Sequence, residues 1–98
     1  MRLSAYRIAA NQHRTARIRS IETESPTVKT FTFEDRICSK AKPGQFLMIW
    51  IPSVDEIPLS ILDASEDGTV SVAVQKVGEA TQALHAKEDG EIIGIRGP

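Results

Sequence analysis

The stretch "PLSILDASEDGTVSVAVQKV", residues 58–77, decides how this chain is read. Two runs rich in β-branched and aliphatic side chains flank Glu66-Asp67-Gly68, and Asp-Gly tolerates the positive φ angles of a tight hairpin turn. The stretch is therefore expected to be a β-hairpin. In its second arm Val70, Val72 and Val74 alternate with Ser71, Ala73 and Gln75, so one face is apolar and the other is not. The first arm holds a single hydroxyl, Ser60, behind Pro58.

Working outward, apolar or alternating runs recur every 8 to 15 residues between turn signals, the pattern of an all-β barrel or sandwich. "TARIRSIET" (15–23) and "TVKTFTFED" (27–35) read as the first two strands, broken by Ser25-Pro26. Phe31 and Phe33 share a face in the second, opposite Thr30 and Thr32. "GQFLMIWIP" (44–52) is apolar almost throughout, which predicts a strand covered on both faces or packed against something outside the barrel. After Gly78, "EATQALHAKED" (79–89) places Ala80, Ala83 and Leu84 at helical spacing and ends at Gly90, so a short helix is expected. "EIIGIRGP" (91–98) returns to strand character. It stops at a turn signal, Gly97-Pro98, beyond which a linker or second domain is expected.

Ninety-eight residues make one small domain with a single core, residues 1–98. The 12 basic and 13 acidic residues nearly cancel, which argues against a nucleic-acid binder driven by phosphate neutralisation. Arg2, Arg7, Arg14, Arg17 and Arg19 all precede the first acidic residue, Glu22, and read as a solvated arm or first strand. A targeting segment is the lesser reading of that end. No apolar run approaches the ~18 residues of a membrane span. A soluble, cytoplasmic protein is expected. Cys38 is the single cysteine, which excludes an internal disulfide and a thiolate cluster within this chain. His13 and His85 have no ligand at a recognised spacing and read as surface histidines. Asp55-Glu56 and Glu88-Asp89 lie beside Pro and Gly, where solvated loop charges are expected. Ser60 has no Gly-x-Ser-x-Gly frame. No metal site and no catalytic residue is assigned.

One constellation carries chemistry. Strand "PLSI" pairs with a strand ending in "QKVG", and the chain passes through Gly78 into a helix with Thr81 in its first turn. Glycine admits close approach of backbone to a ligand, and the N–H groups of a helix start attract phosphate-type anions. Thr81 could add a hydroxyl donor, and Ser60 with the strand backbones could meet a planar polar ring. On spacing alone the same elements also describe an ordinary hairpin followed by a connecting helix.

At these residues the sequence resembles the FAD-binding barrel of the ferredoxin–NADP reductase superfamily, and most closely the electron transfer subunit of dihydroorotate dehydrogenase. "VKTFTFED" is similar to the family's second strand and "KPGQFLMIWIP" to its Pro-Gly-Gln-Phe strand. "IPLSI" resembles the Arg-x-Tyr-Ser flavin motif in that subunit's form, close to Arg-Pro-Ile-Ser-Ile. "KVGEATQAL" followed by "GEIIGIRGP" is similar to the diphosphate-binding turn and helix, then the strand ending in Gly-Pro. The order and spacing together cover nearly the whole chain. The resemblance implies a six-stranded antiparallel Greek-key β-barrel with one short helix. It implies that Pro58, Leu59 and Ser60 line the isoalloxazine and ribityl part of FAD, with Leu59 in place of the stacking Tyr. Ala73, Val74 and Lys76 would follow the ribityl chain and phosphates, largely through backbone, while Gly78, Ala80 and Thr81 would hold the diphosphate. Ile57 stands where the family has Arg, so one charge-assisted contact is absent, and Lys76 is expected to supply the missing charge. Longer members of the family carry an NAD(P)H-binding domain and, in the dihydroorotate dehydrogenase subunit, a [2Fe–2S] cluster. The implied role is a flavin module of pyrimidine biosynthesis, working with an FMN-containing dihydroorotate dehydrogenase catalytic subunit and incomplete as an enzyme by itself. A flavin subunit of a hydrogenase or ferredoxin–NADP oxidoreductase, or a non-enzymatic interaction barrel, are the alternatives.

Overall fold

The structure, a computed structural model, describes residues 12–42, 44–51 and 54–98. Arg2, Arg7, Pro43 and Pro52 lie outside them. Six strands run Arg14–Thr23 (β1), Val28–Glu34 (β2), Phe46–Ile51 (β3), Asp55–Ala64 (β4), Thr69–Gln75 (β5) and Ile92–Arg96 (β6). A helix, Glu79–His85 (α1), lies between β5 and β6, and a single 3₁₀ turn covers Cys38–Lys40. The strands close into a barrel in the order β1-β2-β5-β4-β3-β6, every pairing antiparallel. The expected fold is present.

Closure depends on two ten-residue strands that change partners. The first half of β1 pairs with β6 through residues 14–17, and the rest pairs with β2 from Ile18 to Thr23. Likewise β4 pairs with β3 over 55–60 and with β5 over 61–64. Each change of partner coincides with a register shift, at Ile18/Ser20 and at Ile61/Asp63. One extra residue reverses the in–out phase of a strand. Ala16 and Ile18 face the core, and beyond the shift it is Ile21, not Ser20, that packs against it. In β4 the inward series Ile57, Leu59, Ile61 is followed by Ala64. Both irregularities sit at barrel corners, where a strand must bend.

The core is the inward faces of these strands. Phe31 lies opposite Val72 and Phe33 opposite Val70 across β2 and β5, and all four are fully buried, as the alternation predicts. Burying side chains of this size contributes about 1.5–3 kcal/mol each. On the outer face Thr32 and Ser71 are also opposite, with hydroxyl oxygens 3.0 Å apart. The Asp67-Gly68 turn forms as read. Gly68 has φ +95°, and the Asp67 carboxylate accepts from the Ser65 hydroxyl (2.7 Å) and the Thr69 N–H (2.9 Å). Those hydrogen bonds hold its pKa down to about 2.

Three local expectations change, and of the two alternatives for β3 the one with both faces covered within the chain falls away. Asp55 and Glu56 are not loop residues: they begin β4, opposite Ile51 and Trp50, and Glu56 receives a hydrogen bond from Arg96 Nη2 at 2.7 Å. The helix stops at His85, four residues early, because Lys87–Asp89 carry charges with no apolar face to bury and turn through Gly90 at φ +89°. His85 is not on the surface. It lies buried beside Phe31, with Nε2 donating to the Val74 carbonyl at 2.7 Å, a partner that can only accept. Finally, β3 buries Leu47, Ile49 and Ile51 on one face only. On the other, Phe46 remains 60% exposed and Trp50 43% exposed.

A buried ionic cluster holds the barrel seam. Arg14 donates to both oxygens of Asp35 at 3.0 Å and to the Gly97 carbonyl at 2.6 Å, while Cys38 N–H donates to Asp35 at 2.8 Å. Burial pushes the Asp35 carboxyl up, but the hydrogen bonds from Arg14 and Cys38 with the guanidinium charge outweigh it, and the pKa is lowered. Burial, and then the neighbouring Asp35, push the Cys38 thiol up to about 12.

Candidate functional site

The site follows from β4 changing partners. Over residues 55–60 β4 is bonded to β3 alone, so a gap opens between it and the continuation of β5. Pro58 sits in this one-sided segment, where a residue without an N–H leaves no ladder bond unmade on the side facing away from β3. The first turn of α1 fills the gap only in part. Val54, Asp55 and Ile57 on one side and Val77, Gly78, Glu79, Ala80 and Thr81 on the other line a cavity of about 300 Å³. Leu84, fully buried, anchors the helix behind it.

Gly78 precedes the helix with φ −163° and ψ −175°, an extended conformation open to any residue. A Cβ built there meets nothing within 4 Å. Neither backbone conformation nor packing requires glycine. The N–H groups of Glu79, Ala80 and Thr81, the first three helical residues, have no carbonyl of their own helix to bond. The Thr81 hydroxyl is engaged internally: it accepts from the N–H groups of Val77 and Gly78, both at 2.9 Å, and donates to the Gly78 carbonyl at 3.0 Å. It shapes the turn instead of presenting a spare donor.

The remaining sequence-predicted positions fall on two faces. Pro58 and Ser60 are exposed on the outer face of β4, opposite Met48 and Phe46 of β3. Leu59 points the other way and packs against the core with Ile57. Ala73 is exposed on β5, and Ser60 and Ala73 each lie one position from the paired residues Ile61 and Val72. Val74 is fully buried, and its carbonyl accepts from His85. Ile57, Gly78, Ala80 and Thr81 thus come together in one cavity, with Pro58, Ser60 and Ala73 on the adjoining outer surface. Lys76 does not join that cavity. It lines a separate groove with Pro26, Lys29, Gln82, His85 and Ala86. The charged side chains on the cavity are the acids Asp55 and Glu79. Lys29 reads in sequence only as part of the second strand, with no role at a site; β2–β5 pairing, which sets it opposite Val74, brings it there.

Among the described residues no three His, Cys, Asp or Glu side chains converge on a metal position, and no helix is long and apolar enough to cross a membrane.

This barrel, with its partly filled gap and glycine-led helix, is of the ferredoxin-reductase FAD-domain class. It superposes on a chain from the structure of an NADH-dependent reduced ferredoxin-NADP oxidoreductase with a TM-score of 0.79 and 29% identity, over 85% of this chain and 32% of that one. The cytochrome b5 reductase domain of Ulva prolifera nitrate reductase shares the fold (TM-score 0.68, 17% identity, 89% of this chain and 40% of that one). In sequence the chain is a homologue of the electron transfer subunits of dihydroorotate dehydrogenase B. It is 46% identical over 83 residues to the probable subunit of Methanocella arvoryzae, covering 85% of this chain and 30% of that protein. Identity to the Methanocaldococcus jannaschii counterpart is 45% over 82 residues, 84% of this chain and 29% of that protein. No family model matches the chain. The chain spans about 30% of the length of these curated relatives.

Proposed function

We propose that this chain is the FAD-binding electron-transfer module of a dihydroorotate dehydrogenase. The observation that carries the reading is Gly78: a glycine that the fold does not require, opening onto a cavity at a helix start, is explained by a ligand that approaches the backbone closely. The orphan N–H groups of Glu79, Ala80 and Thr81 fit an oxyanion such as a diphosphate. Pro58, Ser60 and Ala73 supply the adjoining wall for the ring and ribityl chain, with Leu59 and Val74 contributing backbone only. Bound FAD would supply a ring that takes up a hydride at N5 and passes electrons on. The protein's part is to hold the phosphates, orient the ring against the outer face of β4 and leave its reactive edge open to partners. By similarity, NAD and a [2Fe–2S] centre outside the described residues would accept and deliver the electrons, and an FMN-containing catalytic subunit would oxidise dihydroorotate in the cytoplasm. The exposed apolar side chains Phe46 and Trp50 of β3 and Ile92 of β6 support such an assembly.

FAD titration tests the reading. Wild-type protein is expected to quench flavin fluorescence saturably, and Gly78→Val to weaken binding at least tenfold with the melting temperature unchanged. A folded wild-type barrel that leaves FAD free in solution would favour an interaction domain instead. A flavin subunit of a hydrogenase is the reading that 37% identity over 57 residues to the Pyrococcus furiosus sulfhydrogenase 2 subunit gamma keeps in view.

A further inference from the structure

Residues opposite one another on paired strands present their side chains on the same face. On the outer face of the barrel, Ser60 and Pro58 of β4 lie opposite Phe46 and Met48 of β3, Met48 lies opposite Arg96 of β6, and Glu56 lies opposite Trp50. The wall formed by Pro58 and Ser60 therefore continues onto Phe46, Met48 and Arg96, which line a cavity of about 170 Å³ with Leu47, Gly97 and Pro98. Among the outward residues of β3, β6 and positions 56–60 of β4, the charged ones are Glu56 and Arg96.

The Arg96 guanidinium crosses β3 to reach its partner. Its Nη2 donates to Glu56 Oε1 at 2.7 Å and its Nε to Oε2 at 3.3 Å, and the two side chains are 35% and 24% exposed. Hydrogen bonding from Arg96 lowers the Glu56 pKa, and bonding to Glu56 raises that of Arg96, so both carry their charges at neutral pH. His13 Nδ1 lies 3.9 Å from the same carboxylate. As a staple alone, the pair would tie β4 to β6 across β3, a role of small energetic weight at a surface. Its place beside Pro58 and Ser60 gives it a second one.

We propose that the Arg96–Glu56 pair sets the redox potential of the bound flavin, with Arg96 as the cation that favours the reduced ring and Glu56 as the carboxylate that positions it and offsets its charge. The inference rests on the flavin reading, in which the ring lies against the outer face of β4. Two electrons and one proton, the equivalent of a hydride, turn the neutral ring into a reduced ring with one net negative charge. A nearby cation stabilises that anion and a nearby carboxylate destabilises it. Neutralising the two partners one at a time therefore moves the potential in opposite directions.

The test is an anaerobic redox titration of FAD on the full chain, at one pH and low salt, against a dye of known potential. Wild type, Arg96→Gln, Arg96→Lys and Glu56→Gln are compared, with FAD affinity and melting temperature recorded for each. The potential reads the ratio of affinities for reduced and oxidised FAD. Arg96→Gln is expected to lower that ratio about fivefold, equivalent to about 20 mV, Glu56→Gln to raise it by a similar factor, and Arg96→Lys to stay within about twofold of wild type. A pair that served only as a staple would lower the melting temperature of both Gln variants and leave the ratio where it was. An unchanged ratio in either Gln variant, shifts of the same sign, or a Lys variant that shifts as far as Arg96→Gln overturns the proposal and leaves the flavin reading standing. A folded wild type that binds neither oxidised nor reduced FAD overturns both.

Discussion

At the scale of single residues, Gly78 and Cys38 show how differently the fold constrains two small residues. Both are small and uncharged in the sequence, and their surroundings separate them. The Gly78 Cβ position is empty space, whereas Cys38 is fully buried against Arg14 and the Gly97 carbonyl. With its pKa pushed up to about 12, the Cys38 thiol stays protonated near neutral pH, and the thiolate is the reactive species. A thiol reagent at pH 8 should therefore leave the native protein unmodified and label one cysteine per chain once denaturant is added. Rapid labelling of the native protein would contradict the buried placement.

Among the elements, α1 and β6 carry the sharpest expectations. Thr81 closes the first turn of α1 through three hydrogen bonds, so Thr81→Ala should cost about 1 kcal/mol of stability and Thr81→Ser much less, read from urea midpoints. A loss of flavin affinity in Thr81→Ala would by that route report a deformed turn, which is why Gly78 is the cleaner probe. In β6, Gly94 lies under Trp50: a Cβ there would come within 2.7 Å of Cε3 and 3.1 Å of the Trp50 Cβ. Gly94→Ala should destabilise by about 1–3 kcal/mol, since overpacking must move the ring or the strand. Trp50 is the single tryptophan, and its emission should shift with the displacement.

For the whole molecule, the Arg14–Asp35 pair matters most, because it joins β1, the turn after β2 and the end of β6 where the barrel closes. Asp35 is only 7% exposed and Arg14 18%. Asp35→Asn would leave the guanidinium partly desolvated without its counter-charge, at a cost of about 2 kcal/mol, below the range for fully buried pairs. The pH dependence follows from the lowered Asp35 pKa. A carboxylate whose folded pKa is depressed contributes stability that is fully present above its unfolded value, about 3.9, and is lost as pH falls through the lower folded value. Wild type should therefore lose stability below about pH 4, and Asp35→Asn should show a shallower acid dependence in urea titrations across that window.

What the sequence determined by itself was the set of strands, the hairpin turn and the faces that meet the core. Alternation and Asp-Gly chemistry are local, and Phe31, Phe33, Val70, Val72 and Val74 all point where a period of two sends them. The motif order also named Gly78, Ala80 and Thr81, which the fold brings to one cavity. Tertiary structure decided the rest. Whether Asp55-Glu56 extends a strand depends on β3 being there to pair with it, and whether His85 is buried depends on a carbonyl eleven residues away in β5. The two corner irregularities, which reverse phase within single strands, are set by barrel closure. Most consequentially, the charge missing at Ile57 was assigned in sequence to Lys76 at the diphosphate turn, yet the fold sets Lys76 in a different groove beside Lys29. Charges forty-seven positions apart in sequence become neighbours only when β2 pairs with β5, and no local pattern encodes that pairing.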